Sequence, residues 1–478
     1  MIGRRARVVL LAGVAVALCS LRAQGALQNV EEQPLIADDG TRFVLTTGVV
    51  SVPERHGASA DTAKRIDLAV VRVRTGEVPS RVAHVFLAGG PGDSAVRIVL
   101  GLAKKGGAAW AQMAQGDIIG IDQRGIGKSK PSLASNLRFD LPLDVPGSID
   151  GWLPRIVAVS RQAAAEFVAQ GIDLAAYNTV ESADDIDVVR RELGYDRIIL
   201  WGRSYGTHLA LATLKRHPET VERVILVSPL GLDQMWKTPL QVDVVLRRLA
   251  ERAATPTLLA DMREVIARVA REPVTVTIAH PASGLPVTVA LSSFDLQWLT
   301  GQALADPRHL TKLPAAYREM KAGDFKRMAT LALLLRTTLG VESGMKQMMK
   351  ISSGATAARR ARIARETPEA VLGDAMNFPG MYADAAWPAA DLDDEFRAPV
   401  RSAIPVLILV GDLDARTPVE NGQDIIATLP NGRLVVVENA AHEFDLFGSS
   451  PIRELLAQFL RGMPVTTQRI VQPPLHFD

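Results

Sequence analysis

Gly202-Arg203-Ser204-Tyr205-Gly206 is the segment of this chain whose residue types and spacing point most directly to chemistry. It fits G-x-S-x-G, in which a serine stands at a sharp turn between a strand and a helix. An apolar run over 197–201 enters the segment, and a helical stretch over 207–216 leaves it. Such an elbow strains the serine backbone and exposes its Oγ, while flanking glycines avoid clashes that a Cβ would cause. Ser204 is therefore the candidate nucleophile.

A serine hydroxyl needs a histidine to take its proton and an acid to orient that histidine. The strand, elbow and helix resemble the nucleophile region of α/β-hydrolases, where the order along the chain is Ser, then Asp or Glu, then His. The eight histidines are His56, His84, His208, His217, His280, His309, His442 and His476. His442 and His476 follow the last strand candidate, and His476 belongs to the tail. His442, five residues after Val437, is the candidate base; His208 reads as a helix-face residue and His84 as a strand residue. The preceding apolar run, 404–410, leads into Gly411-Asp412-Leu413-Asp414. Asp414, further out on that loop, is the candidate acid. Asp412 competes with it but is better placed to bind loop amides. An oxyanion hole needs two backbone N–H donors. Tyr205 supplies one candidate, and the loop Ala88-Gly89-Gly90-Pro91-Gly92 supplies the other, with Gly90 ahead of Gly89.

These residues require a parallel sheet to hold them. Buried-strand patterns occur at 82–87, 117–121, 197–201, 223–227, 406–410 and 434–437, alternating with helical stretches as βαβ units do. Two further β-rich runs, 42–52 and 65–74, precede them, after a polar segment over 26–40. Between the fourth and fifth buried strands lie helical stretches over 240–272 and 293–375, with a hairpin at 274–278 and 287–291. The strand pattern resumes afterwards, so 233–400 is expected to be a cap inserted into a core formed by 26–232 and 401–478. The fold class is α/β: a mostly parallel central sheet with a largely helical cap inserted before the last core strands. Residues 471–478 read as an irregular tail.

Gly89-Gly90-Pro91-Gly92, the run Asp122-Gln123-Arg124-Gly125-Ile126-Gly127-Lys128-Ser129-Lys130-Pro131 and the serine elbow together resemble the proline iminopeptidase branch of the α/β-hydrolases. The segment 411–418, Leu313-Pro314 and Gly323-Asp324 are similar to the tripeptidyl-aminopeptidase-like family. The resemblance spans roughly 80–478. It implies a capped hydrolase without metal or cofactor that removes N-terminal residues from short peptides. Two departures stand out. Ala88 replaces the histidine that usually opens the glycine loop, and cysteines common in exported relatives are missing near Asn136 and Tyr382. For Asp122 and Arg124, a structural ion pair with loop amides is favoured over substrate contact.

An aminopeptidase must pair a cationic α-amine with carboxylates, because a desolvated ammonium is costly alone. The cap offers Asp233, Glu319, Asp324, Glu342, Glu366, Glu369, Asp374, Asp384, Asp391, Asp393, Asp394 and Glu395, most of them expected on solvated faces. The segment 377–387 fits either a pocket wall or core. The same triad would serve a carboxylesterase or lactonase acting on small uncharged esters, so that reading stays open.

Composition removes other classes. The 478 residues carry a net charge of +2, against nucleic-acid binding. One cysteine, Cys19, excludes an intramolecular disulfide and any cysteine-rich metal site. At the N-terminus, Arg4, Arg5 and Arg7 precede an apolar run over 8–18, with Ala23 and Gly25 at a cleavage-site spacing. Residues 1–25 are expected to be a signal peptide. An uncleaved anchor and lipidation at Cys19 are less favoured, and Arg4-Arg5 leaves the Sec and twin-arginine routes open. Export then implies a periplasmic or secreted enzyme with no membrane span in its mature part. Residues 1–25 hold four arginines and no acid, so their removal turns +2 into −2.

Overall fold

The computed structural model describes residues 27–57, 63–74, 80–114 and 116–478. The expected signal peptide lies outside the described residues.

Among the described residues the strands are β1 (Gln28–Ile36), β2 (Arg42–Pro53), β3 (Arg65–Arg74), β4 (Val82–Leu87), β5 (Asp117–Ile121), β6 (Ala134–Arg138), β7 (Arg197–Arg203), β8 (Val221–Val227), β9 (Val274–Ala279), β10 (Pro286–Leu291), β11 (Gly340–Ser343), β12 (Val406–Gly411), β13 (Gly432–Glu438) and β14 (Arg469–Val471). Ten of them form one sheet in the order β1-β2-β3-β5-β4-β7-β8-β12-β13-β14. From β5 to β14 neighbours run parallel; β1, β2 and β3 form an antiparallel edge.

The central strands are buried on both faces, and their side chains alternate between two cores. In β7, Ile198 and Leu200 face one core while Ile199 and Trp201 face the other. In β12, Val406 and Ile408 oppose Leu407 and Leu409 in the same way. This period of two follows from the pleat, and burial of both faces explains the uninterrupted apolar runs in the sequence. Helices Ala95–Ala114 and Ser450–Leu460 cover one face. Helices Thr179–Glu192 and Tyr205–Arg216 cover the other, together with much of the chain between β8 and β12.

The chain leaves the sheet after β8 and returns at β12. Between them stand seven α-helices with eight or more residues among the described residues, the β9–β10 hairpin, and β11. β11 pairs antiparallel with β6, which precedes the nucleophile in sequence. That pairing ties the inserted stretch to an excursion of the core, and the short, exposed β6 carried no apolar signal.

Two expectations need correction. The polar segment 26–40 contains strand β1, which pairs with β2 through its backbone while its side chains stay mostly exposed. An edge strand of that kind has no apolar alternation to read. The irregular tail starts one residue later than expected, at 472, because Val471 closes a short strand, β14, beside β13.

Candidate active site

Strand β7 delivers Ser204 at its C-terminal end, and helix Tyr205–Arg216 starts immediately after it. Ser204 has φ 52° and ψ −124°, a backbone region costly for a residue with a Cβ. The turn is tight enough that a Cβ on Gly206 would collide with the Leu87 carbonyl oxygen. Glycine at this position therefore lets the elbow pack directly against the end of β4.

The structure brings Ser204, His442 and Asp414 together. Ser204 Oγ lies 3.0 Å from His442 Nε2. His442 Nδ1 lies 2.9 Å and 3.0 Å from the two oxygens of Asp414. Ser228 Oγ donates to the His442 carbonyl oxygen at 2.9 Å, fixing the loop that carries the ring. Asp414 is completely buried. It accepts from the amides of Arg416 and Thr417 and from Thr417 Oγ1, at 2.9, 2.8 and 2.7 Å. Burial pushes its pKa up, but the His442 charge and the hydrogen bonds from His442 and Thr417 outweigh burial, so the carboxyl lies below its ordinary value. It thus stays ionised and holds Nδ1 as the donor, which leaves Nε2 free to accept from the serine.

Asp412 does not reach the histidine. Its carboxylate pairs with Arg252 at 2.8 Å, and burial leaves its pKa above the ordinary value despite that partner and the Ala440 and Asn439 amides. His84 and His208 also lie outside the triad. His84 accepts from Trp201 Nε1 at 2.9 Å, and burial pushes its pKa down to about 4. His208 Nε2 lies 3.0 Å from Ser353 Oγ, and burial likewise pushes its pKa down to about 4.

Ser204, Tyr205, Gly89, Gly90 and His442 share the wall of one cavity of about 720 Å³. A Cβ on Gly89 would stand 3.2 Å from Ser204 Cβ, so the glycine loop lies against the nucleophile. Phe86, Phe139, Trp236, Trp298 and Phe378 add an aromatic part to a wall that also carries aliphatic and charged side chains. Segment 377–387 serves both expected roles. Asn377 to Gly380 line the cavity, and Phe378 also packs on Trp152, Phe294 and Tyr382.

Asp122 and Arg124 are both buried, but they do not pair with each other, contrary to the sequence reading. Asp122 accepts from Ser94 Oγ and from the amides of Val96 and Lys128, at 2.7, 3.1 and 3.0 Å. Arg124 instead forks onto Asp185, 61 residues away, with two bonds of 2.8 Å, and donates to the Glu54 and Ala176 carbonyls. Asp185 sits in helix Thr179–Glu192, and nothing local in the sequence announces the pairing.

Of the acids named from the inserted stretch, Glu342 lines the cavity. Sequence reasoning missed the cations there: Arg203, Lys237, Lys346, Lys350 and Arg416. Each reads as a solvated side chain until the fold turns it inward.

A family model described as alpha/beta hydrolase fold matches residues 85–448. The chain belongs to this family. The α/β-hydrolase is similar to a tripeptidyl aminopeptidase of Streptomyces lividans, 29% identical over 223 residues, which cover 45% of this chain and 41% of that relative. It is also similar to the serine protease Hip1 of Mycobacterium bovis, 31% identical over 29% of this chain and 27% of the relative. Each match therefore spans less than half the length of the curated relative. A proline iminopeptidase structure from Mycobacterium smegmatis aligns over 87% of this chain and 98% of its own, with 19% identity and a TM-score of 0.38.

Proposed function

We propose that this hydrolase is a serine enzyme that cleaves acyl bonds through Ser204, His442 and Asp414, and that its substrates are short peptides cut near a free N-terminus. The unbroken hydrogen-bond chain from Ser204 Oγ through His442 to buried Asp414 carries the catalytic part of this reading. His442 Nε2 takes the hydroxyl proton as Oγ bonds to the acyl carbon. The amides of Gly90 and Tyr205 hold the developing oxyanion. His442 then gives the proton to the leaving nitrogen, the C–N bond breaks, and an acyl-enzyme remains. Water, deprotonated by the same ring, releases the acid and restores Ser204. Residues 233–400 act as the cap that walls the site, on a core of 26–232 and 401–478.

Similarity to a tripeptidyl aminopeptidase and a serine protease supports peptides as substrates. Asp93 and Glu443, exposed at the cavity wall, are available to an α-amine. A second reading, an esterase or lactonase, has its own observation. Glu342, the one of the named cap acids that lines the cavity, is already paired with Lys346 at 3.0 Å. The deciding assay compares aminoacyl- and tripeptidyl-arylamides, free and N-acetylated, with acyl esters. Loss of turnover on acetylation supports the peptidase; indifference to acetylation with fast ester cleavage supports the esterase. Full turnover by Ser204→Ala would sink both.

Export by the segment 1–25 belongs to the same proposal. N-terminal sequencing of the enzyme recovered outside the cytoplasm should begin at Ala26. Among the described residues no helix is long and apolar enough to cross a membrane.

A further inference from the structure

Charge in the cavity is segregated. Its carboxylates, Asp93, Glu342, Glu443 and Asp445, are all exposed, whereas its cations are half-buried. Two of the acids are engaged: Glu342 by Lys346, and Asp445 by the amides of Phe447 and Gly448 at 2.9 and 2.8 Å. Besides Arg203, next to the nucleophile, three cations have no ion-pair partner among the described residues: Lys237, Lys350 and Arg416. Lys237 Nζ donates to the Met235 carbonyl at 3.2 Å. Arg416 feels Asp414 and Glu443 through space, but neither lies within ion-pair distance.

Three separate elements bring these cations to one wall. Lys237 follows β8, Arg416 extends the acid loop, and Lys350 rides on helix Gly344–Ser353. That helix is split by its periodicity. Met345, Met348 and Met349 enter the core, which turns Lys346 and Lys350, one turn apart, to the cavity. Its end is pinned to the elbow helix. Ser353 Oγ lies 3.0 Å from His208 Nε2 and 3.1 Å from Thr179 Oγ1, which lies 3.1 Å from the Tyr205 hydroxyl. Lys350 is thus held in place by a buried network that ends at the residue after the nucleophile.

Burial and mutual repulsion make this arrangement costly. Burial, with Lys346, Arg416 and Lys237 nearby, drives Lys350 well below its ordinary pKa. Lys237 is pushed down to about 7 by burial and by Arg416 and Arg359. Cations withdrawn from water without counterions gain most when an anion arrives. A desolvated site whose charges are already positioned also binds without having to reorganise.

We propose that Lys237, Lys350 and Arg416 form a carboxylate-binding subsite beside Ser204, so that the preferred substrates carry a carboxylate close to the scissile acyl group. This rests on the serine-hydrolase reading and adds the substrate's charge. The carboxylate has two chemical sources: the acyl portion, as in a half-ester of a dicarboxylic acid, or the leaving portion, as in the C-terminus of a di- or tripeptide.

The test uses matched pairs on the whole enzyme: mono-p-nitrophenyl glutarate against p-nitrophenyl valerate, and trialanine against trialanine amide. An uncharged alkyl fluorophosphonate first reports whether Ser204 is a live nucleophile. The expected result is labelling of Ser204 and a kcat/KM at least about tenfold higher for the carboxylate member of one pair, as a charge-assisted contact provides. The ester pair responding assigns the carboxylate to the acyl side; the peptide pair responding assigns it to the leaving side. In Lys350→Glu, still labelled, the preference should invert toward the uncharged member. Labelling with no preference in either pair, or a preference that survives Lys350→Glu, overturns the subsite and leaves the serine-hydrolase reading intact. No labelling of the wild type overturns both.

Discussion

Arg124 and Arg416 head two buried charge clusters built on opposite principles. Around Arg124 each charge has its partner. The guanidinium forks onto Asp185, caps two carbonyls and lies near Glu181 at 3.7 Å, while His56 Nε2 closes on Asp185 at 2.8 Å. Around Arg416 the cations outnumber the anions. Asp414 is committed to His442, and Lys237 and Lys350 face the same cavity unpaired. A satisfied cluster locks segments distant in sequence; an unsatisfied one keeps its interaction for a ligand. Each is built on an arginine drawn in from solvent, Arg124 fully and Arg416 half-buried, so burial alone does not separate structure from function. The state of its partners does.

Removing the anion from each cluster should break different properties. Asp414→Asn leaves the fold intact and reverses the ring tautomer, so kcat should fall about 10⁴-fold with Tm nearly unchanged. Asp412→Asn, two residues away, should cost less than about tenfold in kcat, because its partner is the surface-reaching Arg252. Asp185→Asn should leave kcat within a few-fold and lower Tm. Steady-state kinetics and thermal melts on the three variants check this, and a larger kcat loss for Asp412→Asn than for Asp414→Asn would reverse the acid assignment.

Removing the arginine sharpens the contrast. Arg124→Met leaves buried Asp185 with His56 alone and strands two carbonyls in a dry interior, a loss of about 3–5 kcal/mol. Arg416→Met removes a cation that lacks a partner, and denaturant unfolding should show stability unchanged or raised. Equal losses in the two variants would mean that the clusters do not differ as described.

The sequence made the triad legible because its signals are local. Gly202 to Gly206 impose their own turn, and Asp414 and His442 each follow an apolar run that can only be a buried strand. The sheet was legible for the same reason, since double burial leaves uninterrupted Val, Ile and Leu. What stayed hidden depends on partners far away along the chain. Arg124 finds Asp185 across 61 residues, and β6 finds β11 across some 200. Lys237, Lys350 and Arg416 carry no mark of burial in the sequence, because a lysine near a helix end ordinarily points to water. β1 stayed hidden for the converse reason: its exposed edge pairs through backbone, which has no side-chain pattern.

The link between elbow and cavity gives a smaller effect. Ser353→Ala leaves His208 Nε2 and Thr179 Oγ1 short of a partner in the interior, which costs about 1–3 kcal/mol of stability. Because Ser353 also anchors the helix carrying Lys350, KM for the carboxylate substrate should rise while kcat for the uncharged one holds. A parallel fall in both would reduce Ser353 to a packing residue.

The smallest expected effect concerns Lys237, and its sign is the opposite of an ordinary ion pair. Its folded-state pKa is about 7 against an ordinary 10.5, because burial disfavours its charge. Between those values the unfolded chain binds the proton and the folded chain does not. Stability therefore rises with pH through this window, and the penalty is full below about pH 7. Lys237→Met should then stabilise the protein most at pH 6, by about 1 kcal/mol once water in the cavity screens the charge, and the gain should vanish toward pH 10.5. Bound glutarate should shrink the gain at pH 6, since a carboxylate returns to Lys237 the counterion it lacks. Denaturant titrations of both proteins at pH 6, 8 and 10, with and without glutarate, read out the difference. A gain independent of pH would make Lys237 an ordinary protonated, solvated wall residue and leave Lys350 and Arg416 to hold the anion.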